Sequence, residues 1–285
     1  MTLERNQSSE PDTDEARRKG GGRVFGYPVS REVSASVDLF VDEFLSSAPV
    51  KHVVIDNFLE ENFVEALYQD LPDLADMPKS RDYMFSDKRE LSTLDRHSGL
   101  SRQLHEVFVG SEFAHFASQL AGCEVHIDPE YVGGGFHAGG IGSFLDLHVD
   151  FNIHPTREDW LRRLNILLYL NPGWEPSWGG ELLLTDDPEH PAVAVEPRFN
   201  RLVIMECTDI SFHGYRPISF PPGRMRRSIA AYAYSQIEPG TVAKHTTNWA
   251  PENAGLVKRL LAKNWNRLVL TKNRFFGSAT VKNRR

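Results

Sequence analysis

Between positions 124 and 236 the chain is broken into short apolar or alternating runs, at 131–136, 143–150, 165–171, 181–186, 192–195, 201–207 and 228–236, with Gly, Pro, Asn and Asp between them. A helix needs about ten residues or more to bury one stripe, whereas a strand does so in about four to eight, so runs this short between turn residues read as strands. Many short strands in succession close up as a sandwich or barrel, which leaves little open sheet edge. The expected core is therefore a β jelly roll of the cupin-like kind.

Helical patterns flank it. HVVIDNFL at 52–59 is a β-branched strand, and the stretch 60–71 after it places Phe63, Val64, Leu67 and Leu71 on one helical side. A second helix is expected across 101–120, where Leu104, Val107, Phe108, Phe113, Phe116 and Leu120 recur at spacings of three and four, and a third over 254–270. The fold class is thus mainly β with flanking helices, an α+β chain without internal repeats. Positions 1–30 are rich in Ser, Glu, Asp, Arg and Gly and too poor in apolar side chains to offset the entropy of ordering, so disorder is expected there. This leaves 31–240 as the barrel domain with its N-terminal helices and 241–285 as a basic helical extension.

The formal charge of −7 argues against a surface built as a whole to hold nucleic acid, and no nucleic-acid partner is expected. The charge is unevenly spread: from position 254 to the end there are nine basic residues and no acidic one. With Val257, Leu260, Leu261, Trp265, Leu268 and Val269 interleaved, this stretch could attract an anionic partner or a membrane surface. A helix packed on the barrel with a solvated basic face is the plainer expectation. Two cysteines, Cys123 and Cys207, in no paired spacing give neither a disulfide scaffold nor a cysteine zinc site. Neither a signal peptide nor a membrane-spanning run is seen, so a cytoplasmic location is expected.

Chemistry concentrates in three segments. In LDLHVDFNIHP, His148 and Asp150 stand two residues apart, and on an extended backbone such residues project to one face, where imidazole and carboxylate can converge on a metal ion. In CTDISFHGYRP, His213 follows the apolar strand RLVIMEC and precedes Gly214, which admits close approach of another strand. Two histidines and a carboxylate make the facial triad of non-haem iron(II) oxygenases, with the other side of the ion open for a chelating 2-oxo acid and dioxygen. In PPGRMRRSIAAYAYS, Arg226, Ser228, Ala230 and Tyr232 share one face of a strand and Arg227, Ile229 and Ala231 the other. An arginine facing into a barrel needs an anion, and its planar fork suits a carboxylate such as the distal end of 2-oxoglutarate. His137 and His154 flank the first segment as further candidates for a carboxylate, with surface or core histidines as the blander account.

The order HVD, RRLNILLYLNPGW, WGGELLL, FNRLVIMECTDISFHG and RMRRSIAAYAY, over residues 131–236, resembles the prolyl 4-hydroxylase-like branch of the 2-oxoglutarate/iron(II) dioxygenases. The resemblance implies a double-stranded β-helix with His148, Asp150 and His213 as iron ligands and Arg226, followed by Ser228, on the far carboxylate of 2-oxoglutarate. Tyr169 stands where family members often place a hydroxyl on the co-substrate. The segment before Arg226 is long and carries Pro217, Pro221 and Pro222, which leaves Arg224 and Arg227 as alternatives. The implied cofactors are Fe(2+), 2-oxoglutarate and O2, with ascorbate as an accessory reductant. The implied reaction is hydroxylation of an unactivated C–H bond, with release of succinate and CO2, on a peptidyl or free amino acid or a small metabolite. A Zn or Mn hydrolase or isomerase of cupin type and a non-catalytic binding barrel are the competing expectations.

Overall fold

The computed structural model describes residues 24–79, 84–190, 193–252 and 254–276. Helices α1 (Arg31–Ala35) and α2 (Val37–Ser46) lead into strand β1 (His52–Ile55) and helix α3 (Glu61–Gln69). Strand β2 (Arg89–Leu91) precedes the helical pair α4 (Gly99–Val109) and α5 (Ser111–Ala121). Ten strands come next: β3 (His126–Ile127), β4 (Gly135–Gly139), β5 (Leu145–Val149), β6 (Trp160–Tyr169), β7 (Leu182–Thr185), β8 (Val193–Val195), β9 (Arg201–Glu206), β10 (Phe212–Tyr215), β11 (Arg226–Gln236) and β12 (Asn248–Trp249). Helix α6 (Leu256–Phe276) comes last.

The strands form two antiparallel sheets. The larger runs β1-β9-β6-β11-β4-β2, with β3 also paired to β11, and the smaller runs β12-β5-β10-β7-β8. From β4 to β7, and again from β9 to β12, successive strands alternate between the sheets, which is the winding of a double-stranded β-helix. The expected fold class is borne out.

Alternation along β6, β9 and β11 sorts the core. Ile166, Leu168, Leu202, Ile204, Ile229 and Ala231 belong to a cluster with Phe44, Phe63, Phe108, Phe113 and Phe116 of the helical layer. Their neighbours Leu167, Tyr169, Val203, Met205 and Ala230 point the other way and meet Leu182 and Leu184 of the smaller sheet. The larger sheet is therefore buried on both faces, and each fully buried Leu, Ile or Phe contributes about 1.5–3 kcal/mol. Packed on one side by helices, this sheet is a rigid support for side chains that project between the sheets.

Three sequence expectations change. The single helix across 101–120 is two: Gly110 adopts an extended backbone (φ −67°, ψ 154°) that ends α4 and caps α5. A Cβ at Gly110 would stand 2.9 Å from the Glu106 carbonyl oxygen, so this turn suits a residue without one. The segment expected to be disordered lies outside the described residues up to position 23, but its end is packed: Phe25 and Val29 are buried, and the Phe25 ring meets those of Phe113 and Phe116. Nor does position 241 separate the barrel from the C-terminal segment, because β12 extends the smaller sheet by pairing with β5 and α6 packs on β12. No helix among the described residues is long and apolar enough to cross a membrane.

Candidate active site

Between the sheets lies a cavity of about 770 Å3, and β5 and β10 bring the triad to its wall. His213 pairs directly with His148 across the two strands, their ring centroids 4.3 Å apart, and Asp150 stands immediately after β5. This pairing depends on Gly214, where a Cβ would lie 2.5 Å from the Leu145 carbonyl oxygen. One ligand atom from each of His148, Asp150 and His213 falls within 4.8 Å of the others. His148 Nδ1 is 2.9 Å from the Asp146 carbonyl oxygen, and His213 Nδ1 is 3.3 Å from that of Ser211. Each Nδ1 therefore carries the proton and donates, which turns an unprotonated Nε2 toward Asp150.

Those two Nε2 atoms lie 3.4 Å from Asp150 Oδ1 and 3.7 Å from Oδ2 respectively. Two imidazole lone pairs aimed at a carboxylate repel unless a cation lies between them. Burial disfavours the charge on Asp150, but the Arg162 guanidinium beside it holds its carboxyl well below the usual carboxylate range. Burial, with the neighbouring His148 and Arg162, pushes His213 down to about 4, so it is neutral near pH 7. The donor set, two imidazole Nε2 atoms and one carboxylate, fits Fe(II).

Asp150 is held from behind by a residue that no local pattern in the sequence singles out. Arg162, fully buried on β6, places Nη1 at 2.8 Å from Asp150 Oδ2. Its guanidinium lies between two rings, 3.7 Å from the centroid of Phe151 and 3.6 Å from that of Tyr232, and donates to the Tyr234 hydroxyl at 3.0 Å. Asn165, also on β6, has Nδ2 at 3.3 Å from His213 Nε2 and 3.5 Å from Asp150 Oδ2, while its buried Oδ1 has no hydrogen-bond partner among the described residues. Behind His148 stands an aromatic stack: Trp249 meets its ring at 4.8 Å, Phe85 stacks on Trp249, and Trp265 of α6 meets Phe85 edge-on.

Across the cavity, the inward face of β11 carries Arg226 and Ser228, with Tyr169 opposite Ser228 on β6. Arg226 is buried; its Nε donates to the Gly180 carbonyl at 2.7 Å and its Nη2 to the Tyr169 hydroxyl at 3.3 Å. Gly180, at φ +87°, makes room for it, since a Cβ there would meet Arg226 Cδ at 3.1 Å. Burial raises the Tyr169 pKa against the pull of Arg226, so the phenol keeps its proton and can donate it into the cavity. Of the other two arginines, Arg224 is exposed and donates to the Pro172 carbonyl, and Arg227 points to the opposite face, toward the Pro72 carbonyl. His137 lines the cavity, with burial lowering its pKa to about 3 and Nε2 without a partner among the described residues. His154 does not line it; it is fixed beside Asp128, between Trp160 and Tyr234.

The strands that build this cavity coincide with a known domain: residues 134–234 match the model of the 2OG-Fe(II) oxygenase superfamily. Over those residues, about a third of its length, the chain resembles that superfamily. It is 30% identical to prolyl 3-hydroxylase OGFOD1 of Xenopus laevis over 195 residues, which are 66% of this chain and 35% of the relative. It is 29% identical to the Mus musculus protein of the same name over 179 residues, 59% of this chain and 30% of the relative. The chain thus spans about a third of the length of these curated relatives. Among solved structures, a Pseudomonas putida prolyl-4-hydroxylase superposes with a TM-score of 0.51 at 19% identity, covering 71% of this chain and 99% of that one. The solved structure shares the fold, and the matched domain model is that of a superfamily whose chemistry uses Fe(II), 2-oxoglutarate and O2.

Proposed function

We propose that this chain is a 2OG-Fe(II) oxygenase that hydroxylates an unactivated C–H bond, and that its substrate is an amino-acid side chain, prolyl in the first instance, carried by a peptide. One observation carries the reading. The His148, Asp150 and His213 donor set and the Arg226–Tyr169 pair line the same cavity from opposite sheets. His148 and His213, through Nε2, and Asp150 would hold the iron. Arg226, the Tyr169 O–H and the Ser228 hydroxyl would take the far carboxylate of 2-oxoglutarate by charge-assisted hydrogen bonds. When bound, the iron supplies the redox chemistry that couples decarboxylation of 2-oxoglutarate, to succinate and carbon dioxide, to hydroxylation of the substrate.

The chain's own part is orientation and exclusion of water. Arg162 pairs with Asp150 Oδ2 from behind, which would keep the carboxylate charged and in place to hold the metal. Trp249 packs against one side of His148, and the Asp146 carbonyl fixes its tautomer. The peptidyl substrate rests on the similarity to prolyl 3-hydroxylases, and the cavity suits it, being larger than 2-oxoglutarate alone requires. A hydrolytic zinc or manganese site, or a binding barrel, would leave the buried Arg226 fork without a task.

Anaerobic titration of the Fe(II)-loaded chain with 2-oxoglutarate is expected to raise a weak visible charge-transfer band that saturates at one equivalent, with no band when Zn replaces Fe. A saturating titration that stays colourless with iron bound would remove the reading. Tyr169→Phe deletes one hydroxyl and leaves the ring, so the KM for 2-oxoglutarate should rise by about 2–10-fold, the worth of one ordinary hydrogen bond, with little change in kcat. Steady-state kinetics with 2-oxoglutarate varied checks this.

A further inference from the structure

Helix α6 has two unlike sides. Its inner side seats Leu261, Ala262 and Trp265 against Phe85 and Trp249, forms a Lys258–Asp146 ion pair at 2.6 Å, and contributes Trp265 and Val269 to the cavity wall. Its outer side is not the polar, mixed-charge surface that a solvated helix presents. Leu256, Val257, Leu260 and Leu268 stand 79%, 72%, 61% and 51% exposed, among the largest exposures of bulky apolar residues in the described chain. At about 3.6 residues per turn these four fall on one side as a stripe, which the exposed Asn264 and Arg267 interrupt between Leu260 and Leu268, and the exposed Arg259 and Lys263 run along its edge. No acidic residue occurs anywhere from position 254 onward, and three more basic residues, Lys282, Arg284 and Arg285, close the sequence.

An apolar stripe edged and interrupted by cations, with no acidic residue beside it on the helix, is an arrangement of helices that lie in the plane of a bilayer, with aliphatic side chains among the acyl chains and basic ones at anionic headgroups. A partner protein with an acidic groove would match the charges, but nine basic residues without an acidic one, spread from position 258 to 285, suit an extended anionic surface better than a single groove. We propose that the outer side of α6 docks onto an anionic lipid membrane, so that a helix forming one wall of the active-site cavity rests on the bilayer. The remainder of the chain carries the acidic balance of the −7 net charge, which would turn it away from the same surface and orient the molecule.

Co-sedimentation of the whole chain with phosphatidylcholine vesicles, with and without phosphatidylserine, tests this without reference to turnover. Binding should require phosphatidylserine and fall as salt is raised. The variant Arg259→Gln/Lys263→Gln/Arg267→Gln should partition about 100-fold more weakly. Leu256→Ser/Val257→Ser/Leu260→Ser should also lose binding, with an unchanged thermal melt because these side chains are exposed. Equal sedimentation with and without phosphatidylserine, or undiminished binding by either variant, would overturn the proposal. It would be overturned equally by a light-scattering mass of two copies that the serine variant halves, which would make the stripe a dimer interface, or by tight binding to RNA that anionic vesicles fail to compete.

Discussion

Asp150→Ala is expected to abolish succinate formation and, separately, to destabilise the fold by about 3–5 kcal/mol, because it leaves Arg162 as a buried cation with no counter-charge. The two effects have different origins. Loss of turnover comes from loss of a carboxylate donor to the metal, and Fe(II) affinity should fall by more than the roughly 10–100-fold that removal of an outer partner costs. Loss of stability comes from Arg162, whose guanidinium is enclosed by Phe151, Tyr232 and Tyr234 and cannot turn to water. The double variant Asp150→Ala/Arg162→Met removes both charges and fills the slot with a flexible apolar chain. It should recover most of the stability in a urea titration while remaining inactive. Retained iron-dependent succinate formation by Asp150→Ala would sink the metal assignment; equal stability of the single and double variants would show that Arg162 finds another partner.

Arg162 also shows where sequence reasoning stops. The two-residue spacing of His148 and Asp150, and the alternation along β11 that separates Arg226 and Ser228 from Arg227 and Ile229, are local facts of an extended backbone, so the sequence alone discloses them. The same rule applied to β6 misleads. Asn165, Leu167 and Tyr169 face inward, and strict alternation would turn Arg163 inward and Arg162 out. Between the pairs Leu164–Ala233 and Arg162–Tyr234 the register slips by one residue. This bulge gives the inward place to Arg162 and leaves Arg163 to bond the Ser235 hydroxyl. Nothing in RRLN marks it. Trp249 was illegible for another reason: it sits in a two-residue strand, and only pairing with β5, some hundred positions earlier, brings it to His148. The helical side of the fold obeys its apolar periodicity, and the break at Gly110 is the kind that one glycine can signal.

Replacing Arg226 by alanine should produce the other large effect, a rise in the KM for 2-oxoglutarate with the iron site left intact. Arg226 is buried, two of its nitrogens are fixed by the Gly180 carbonyl and the Tyr169 hydroxyl, and the fork is therefore held in place before any ligand arrives. Removing a buried partner of a carboxylate costs about 2–5 kcal/mol, roughly 30-fold to several thousandfold in apparent affinity. Arg226→Lys keeps the charge but not the planar fork, so it should fall between alanine and the parent. The readouts are the midpoint of the visible band on titration with 2-oxoglutarate and the KM measured with substrate held constant, and both should move together. Arg224→Ala and Arg227→Ala supply the contrast, since Arg224 is bound to the Pro172 carbonyl outside the cavity and Arg227 points to the far face of β11. Either should leave both readouts near the parent values. A KM unchanged in Arg226→Ala but raised in one of these would transfer the co-substrate carboxylate to that residue, and the two inward-facing residues Arg226 and Ser228 would then need another ligand to account for their burial.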